Sequence, residues 1–179
     1  QSDSLESPEK LLPEEMQRFI SFMAEVKHFY MNNIDTREEY ERRLAEARRL
    51  AEAEGVELVA EEYDHDAWLR EVADGFENEP EKGLRCERCY RYNLARTAAY
   101  LEANGYDAFC TSLTVSPHKP SARIFAASED PRFMKEDFKK REGFKLSVKR
   151  AKELGLYRQA YCGCEFSKKD MEQRSASIT

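Results

Sequence analysis

Four of the five cysteines fall in two tight pairs, and these thiols are the residues best suited to chemistry in the chain. Cys86-Glu87-Arg88-Cys89 is a CxxC standing where a polar loop runs into a helical pattern. The helix dipole and the neighbouring Arg85 and Arg88 are expected to lower the pKa of these thiols, and a thiolate is what a metal or cluster requires. Cys162-Gly163-Cys164 is a CxC whose glycine lets the backbone bend between two sulfurs. Such a pair chelates one ion or closes a small, strained disulfide that is easily reduced. Spacing alone leaves three readings open: a structural zinc site of four thiolates, a redox iron–sulfur site, or thiols without any ligand. Cys110 lies in apolar Ala108-Phe109-Cys110 and is expected to be a small buried hydrophobe.

Other common chemistries lack their signatures. The seven glycines never fall as GxGxxG, and neither a Walker A nor a GxSxG sequence is present. His28, His65 and His118 are far apart and form no HExxH pair, so surface or capping roles are the simplest expectation. His118 sits in the Pro-flanked loop Ser116-Pro117-His118-Lys119-Pro120, a setting where binding residues concentrate. The net charge of -6 argues against a protein that coats nucleic acid through bulk charge. Locally the balance reverses: Arg132 to Lys152 holds nine Lys/Arg against three Asp/Glu. That segment is either a solvated helical face or a phosphate-binding one.

The elements that must position these residues follow from periodicity and capping. A chain of 179 residues suits one domain. No apolar run approaches the roughly 18 residues of a membrane span, so no membrane partner is expected. The start at Gln1 rather than Met reads as a trimmed or incompletely recorded one. No basic stretch precedes an apolar one, and the cysteines are paired. A reducing, cytoplasmic location is therefore expected. Residues 1–26 read as a lead-in, disordered to about Pro13 and helical over Glu14 to Val26. A strand is expected over Val26 to Tyr30, then a polar turn at Asn32-Asn33. Thr36 and Glu39 form a capping box for a helix that Gly55 ends. Val56 to Ala60 reads as a strand, and Asp64 as the cap of a helix carrying Trp68, Leu69 and Val72. The CxxC then leads into a helix closed by Gly105. A buried strand over Tyr106 to Val115, a helix from about Ser121, an extended piece near Phe133 and a helix over Phe144 to Leu154 follow. Strands alternating with helices predict an α/β fold: one Rossmann-like domain, its parallel sheet flanked by helices, over 27–167, with a flexible tail over 168–179.

An ordered set of motifs runs along most of the chain. The set comprises Tyr40 with Arg43-Leu44, Glu77-Asn78-Glu79-Pro80-Glu81, Arg85-Cys86-Glu87-Arg88-Cys89-Tyr90, and Ser116-Pro117-His118-Lys119. It continues through Asp137-Phe138-Lys139-Lys140, Gly143-Phe144, Gly155-Leu156-Tyr157-Arg158-Gln159, Tyr161-Cys162-Gly163-Cys164 and Ser167. In this order and spacing the set resembles the epoxyqueuosine reductase family QueH. The resemblance implies a nucleotide α-hydrolase-like fold and reduction of epoxyqueuosine to queuosine at the tRNA wobble position, the last step of queuosine biosynthesis. It implies a 4Fe–4S cluster held in part by Cys86 and Cys89, and leaves open an additional iron. Cys162 and Cys164 take the role of a redox-active disulfide pair. The implied partners are tRNA with a GUN anticodon and an unidentified electron donor. Lys139, Lys140, Arg141, Lys145, Arg158 and His118 become the residues expected to meet that substrate.

The chain departs from the family at one point. Two further cluster ligands of the family form an adjacent Cys-Cys pair near the N-terminus, and no cysteine precedes Cys86. The change of pattern near Val26-Lys27 favours a segment missing from the sequence as written over a divergent chain. A protein of this literal sequence is expected to be inactive, with two thiolates where four are needed. The rival readings are a zinc-stabilised RNA-binding module and an inactive relative of the reductase.

Overall fold

The hydroxyl of Thr36 accepts the backbone N–H of Glu39 at 3.2 Å, satisfying a group that a helix leaves unpaired at its start. Helix α1 (Arg37–Glu54) runs from this cap to Gly55, whose φ of 67° makes the left-handed turn that ends it. The computed structural model describes residues 26–29 and 31–176. Strand β1 (Val26–Phe29) precedes α1 and strand β2 (Glu57–Ala60) follows it. The two pair in parallel, Val26 opposite Glu57 and Phe29 opposite Ala60. Parallel strands need a crossover, and α1 supplies it. Its buried face of Tyr40 and Leu44 joins Ile34 against Leu58, Ala60 and Tyr63.

Asp64 caps the next helix by accepting the Ala67 N–H at 2.9 Å. That helix, α2 (His65–Trp68), widens into a π turn over Leu69–Ala73. The rings of Tyr63, His65 and Trp68 stack at centroid spacings of 6.2 and 5.5 Å, and Phe166 tilts onto Trp68 at 6.4 Å. Helix α3 (Leu84–Asn104) carries the CxxC in its first turns and ends at Gly105. Its Tyr90, Leu94 and Leu101 build the largest core cluster with Phe109, Ile124 and Phe133. Helices α4 (Ser121–Phe125), α5 (Gly143–Glu153) and α6 (Glu165–Ala176) complete the order.

Four expectations change. The sheet is smaller than predicted: among the described residues it is β1 with β2, plus one isolated bridge between Phe109 and Phe133. These residues are mostly helical, and their sheet is two short parallel strands rather than a full one flanked by helices. The strand expected over Tyr106 to Val115 gives only that bridge and then a 3-10 turn over Ser112–Val115. Threonine hydroxyls compete there with any ladder, since Thr111 accepts the Leu113 N–H and Thr114 donates to the Glu136 carbonyl at 2.9 Å. The capping box is half made, because the Glu39 carboxylate serves Arg43 at 2.8 Å and the Tyr157 hydroxyl at 3.2 Å. Residues 168–176, expected as a tail, belong to α6, which Lys168–Asp35 at 2.9 Å and Arg174–Glu81 at 2.6 Å tie down. The lead-in over 1–25 lies outside the described residues. Among the described residues no helix is long and apolar enough to cross a membrane.

Candidate functional site

Cys86 and Cys89 are three residues apart on α3, so one helix face presents both sulfurs. The approach to that face is tightly made. Lys82 has a positive φ of 69°, and its N–H donates to Cys86 Sγ at 3.3 Å. A Cβ at Gly83 would displace the Glu79 carboxylate, whose Oε2 stands 2.5 Å away, and press on the Pro80 carbonyl at 3.0 Å. Arg123 holds this entry through Glu87 at 3.0 Å and through the Lys82 carbonyl. On the other sulfur, Asn93 donates to Cys89 Sγ at 3.7 Å. The indole N–H of buried Trp68 has no hydrogen-bond partner, and its dipole bears on Cys89.

The expected acidification of these thiols is not what the geometry produces. Burial pushes the Cys86 thiol up and the Cys89 thiol up to about 12. Arg85 and Arg88 are spent elsewhere. Arg85 is buried, donates to the carbonyls of Phe76 and Glu79 at 2.8 and 2.7 Å, and lies over the Phe166 ring. Arg88 donates to the carbonyls of Val72 and Glu71, closing the end of the π turn. These arginines build the wall behind the CxxC.

The CxC pair arrives from the opposite end of the sequence and is clamped to the turn after β1. The Asp35 N–H donates to the Gly163 carbonyl at 2.9 Å. Arg43 donates to the carbonyls of Cys162 at 2.9 Å and Tyr161 at 3.4 Å. The Cys162 N–H reaches the Ser167 hydroxyl at 3.0 Å. Gly163 has φ of 148°, and a Cβ there would meet Asn33 Nδ2 at 2.8 Å. Asp35 accepts from the Tyr161 hydroxyl at 2.6 Å and from Lys168 at 2.9 Å. Burial works to raise the Asp35 carboxyl, but these two partners hold it below its ordinary value. Burial also pushes the Cys164 thiol up to about 12.

Lys119 joins the two halves. Its ammonium donates to Cys162 Sγ at 3.0 Å and stands 5.7 Å from the centre of the Tyr90 ring. Burial works to lower its pKa, and the Cys162 sulfur outweighs that and raises it. Cys162 interacts electrostatically with Cys86, Cys89 and Cys164, so the four paired cysteines occupy one neighbourhood around this ammonium. None of the five cysteines is joined in a disulfide. Cys110 is half-buried outside this group, its thiol pushed up to about 11 by burial.

The donors around the CxxC suit a metal-bound thiolate, which accepts N–H groups readily; the orphaned Trp68 N–H beside Cys89 is what such a sulfur would satisfy. The set stops at two, however. Among the described residues no three or more His, Cys, Asp or Glu side chains are arranged to hold a metal ion.

The residues expected to meet a nucleic acid divide. His118, Lys140 and Arg158 are exposed, and Lys145 is exposed but paired with Glu142. Lys139 faces inward: its ammonium donates to the carbonyls of Thr114 and Lys119 at 3.1 Å each and to the Ser121 hydroxyl at 2.5 Å. The side chain of Arg141 lies outside the described set. Sequence reasoning missed Lys119, Arg43 and Asp35 as parts of the site. Lys119 and Arg43 had a signal, since both stand in the motifs that carry the resemblance and Lys119 lies between two prolines in a turn that breaks an apolar stretch; Asp35 had none.

The family model described as epoxyqueuosine reductase QueH matches residues 12–170. The epoxyqueuosine reductase QueH of Streptococcus pyogenes serotype M1 is 32% identical over 164 residues, covering 84% of this chain and 64% of the relative. The protein of that name from Acinetobacter baylyi is 36% identical over 149 residues, 79% of this chain and 68% of its own. The one from Thermotoga maritima is 32% identical over 160 residues, 84% of this chain and 83% of its own. The chain thus spans less than two thirds of the length of the streptococcal relative.

Proposed function

The chain belongs to the epoxyqueuosine reductase QueH family, and from that membership we propose that it reduces epoxyqueuosine in tRNA to queuosine. Turning an epoxide into a carbon–carbon double bond consumes two electrons and two protons and releases the oxygen as water. The observation that carries the reading is the meeting of CxxC and CxC around Lys119, which puts two candidate thiolate ligands beside a candidate two-electron couple.

In this proposal Cys86 and Cys89 are two of the ligands of a 4Fe–4S cluster, with an additional iron as its extension. When bound, such a cluster supplies electrons and a Lewis-acidic iron. The chain's own residues do the rest. Cys162 and Cys164 cycle between dithiol and disulfide, giving two electrons per turn, and an external donor restores them. Lys119 holds a proton and a positive charge beside that couple. Exposed Lys140, Arg158 and His118, together with Arg141 and Lys145, meet the phosphates near a GUN anticodon. The parallel pairing of β1 and β2 around α1 supports a Rossmann-like sheet as the scaffold over 27–167. The substrate suits a cytoplasmic enzyme.

The absence of a third converging ligand among the described residues favours one rival, a relative that binds tRNA without turning it over. One experiment separates them. Protein reconstituted with iron and sulfide under anaerobic conditions is given a reductant and tRNA from cells lacking epoxyqueuosine reductase, and the digested nucleosides are analysed by mass spectrometry. Queuosine appears if the proposal holds, and its appearance would overturn the expectation that a chain with two of the four thiolates is inactive. Bound tRNA with unchanged epoxyqueuosine and zinc in place of iron overturns it.

A further inference from the structure

Lys139 sits in the basic segment that the sequence assigns to phosphate, yet its ammonium has three partners inside the fold. It joins the Thr114 carbonyl, the Lys119 carbonyl and the Ser121 hydroxyl, and Asp137 stands 3.4 Å away as its counter-ion. Thr114 is itself buried and tied by its hydroxyl to the Glu136 carbonyl and the Phe138 N–H. The bonds therefore run from a fixed core residue, through Lys139, to the backbone of the Ser116–Pro120 turn. Lys119 is the residue of that turn whose carbonyl is held. Its side chain crosses to the other half of the site and donates to Cys162 Sγ.

The two sulfurs of the CxC differ in what they receive. Cys162 has an ammonium at 3.0 Å, and Cys164 has the neutral backbone N–H of Ser167. A charged donor is worth roughly twice a neutral one to a sulfur that develops negative charge. We propose that Lys139 and Lys119 act in series as positioning residues. Lys139 fixes the backbone of Lys119, and the Lys119 ammonium singles out Cys162 as the reactive sulfur of the pair. This rests on the reading of Cys162 and Cys164 as a working couple. It removes Lys139 from the tRNA-binding set and gives it a place in the chemistry at one remove.

The test uses the full chain, reduced, with iodoacetamide as the probe and peptide mass mapping as the readout; Cys110, outside the site, is the internal reference. Cys162 labels ahead of Cys164 in the unaltered protein. Lys119→Met lowers Cys162 labelling relative to Cys110 by about tenfold, the loss of one charge-assisted hydrogen bond. Lys119→Arg restores most of it. Lys139→Met lowers the same ratio although Lys119 is intact, and leaves the salt dependence of tRNA binding unchanged. Should Lys119→Met not fold, Lys119→Gln has similar reach without the charge and is read in the same way. An unchanged ratio in the Lys119 or the Lys139 variant overturns the proposal, as does a flattened salt dependence in Lys139→Met. Labelling needs neither iron nor substrate, so it is separable from the redox reading, which fails on its own if Cys162→Ser retains turnover.

Discussion

Arg43 on α1 donates from Nη1 to the carbonyl of Cys162 at 2.9 Å, so the CxC pair hangs from the helix that follows the first strand. The same guanidinium pairs with Glu39 at 2.8 Å, with both side chains almost wholly removed from water. Breaking one half of a buried pair leaves an uncompensated charge. Arg43→Met is expected to cost about 3 kcal/mol of stability, and Glu39→Gln less, because an amide still accepts a hydrogen bond. Urea titration of the three proteins measures this.

Gly163 gives a sharper prediction. Its φ of 148° and the 2.8 Å approach of Asn33 Nδ2 leave no space for a methyl group. Gly163→Ala is expected to lose about 1–3 kcal/mol through strain and to disturb both flanking sulfurs. Thermal unfolding together with the rate at which dithiothreitol reduces the oxidised pair tests this. An alanine variant with wild-type values in both measurements would show that the loop adjusts freely.

The CxxC and the CxC are expected to separate on mutation. Cys86→Ser or Cys89→Ser lowers iron bound after anaerobic reconstitution, because a ligand is lost. Cys162→Ser or Cys164→Ser keeps the iron and abolishes queuosine formation. Iron and nucleoside analyses on the same four samples decide the matter. Loss of iron in the CxC variants would move that pair into the ligand set.

His65 sets a pH dependence. Burial works to lower its pKa, but the Glu165 carboxylate at 3.4 Å and the Asn32 carbonyl at 2.8 Å outweigh this and raise it above the ordinary 6.5. A raised folded-state pKa means protonation favours the native state. The stabilisation is complete below the unfolded value of 6.5 and is lost as pH rises through the higher folded value. Unfolding free energy measured across that window should therefore fall with pH, and His65→Gln should flatten the fall.

The basic surface yields a prediction about salt. Lys140→Ala combined with Arg158→Ala is expected to weaken tRNA binding and lower its salt slope, by about one unit for each phosphate no longer neutralised. Iron content is expected to stay the same. Filter binding at several salt concentrations reads both the affinity and the slope.

Local signals were legible in the sequence wherever the physics is local. Thr36, Asp64, Gly55 and Gly105 end or begin helices where their side chains or positive φ demand it. What the sequence hid depends on distant partners. Glu39 reads as half of a capping box until Tyr157 and Arg43 compete for its carboxylate. Lys139 reads as one more surface cation until three internal acceptors gather at its ammonium. The run Tyr106 to Val115 is apolar enough for a strand, but Thr111 and Thr114 divert its backbone groups. The cysteine pairs were visible as pairs, while their meeting around Lys119 required the turn between the prolines to face them.

The chain's one tryptophan is Trp68, buried to 1% exposure, with its ring stacked on His65 and its N–H turned toward Cys89. The protein therefore carries its own fluorophore at the wall of the site. Its emission comes from a single, water-excluded indole, so a blue-shifted band reports the folded core without a label. Iron bound at Cys89 would sit within quenching distance and darken that band, while protonation of His65 would alter it through the shared stack. Metal loading, unfolding and the His65 titration can thus all be followed in a cuvette, from one ring, in the unmodified chain.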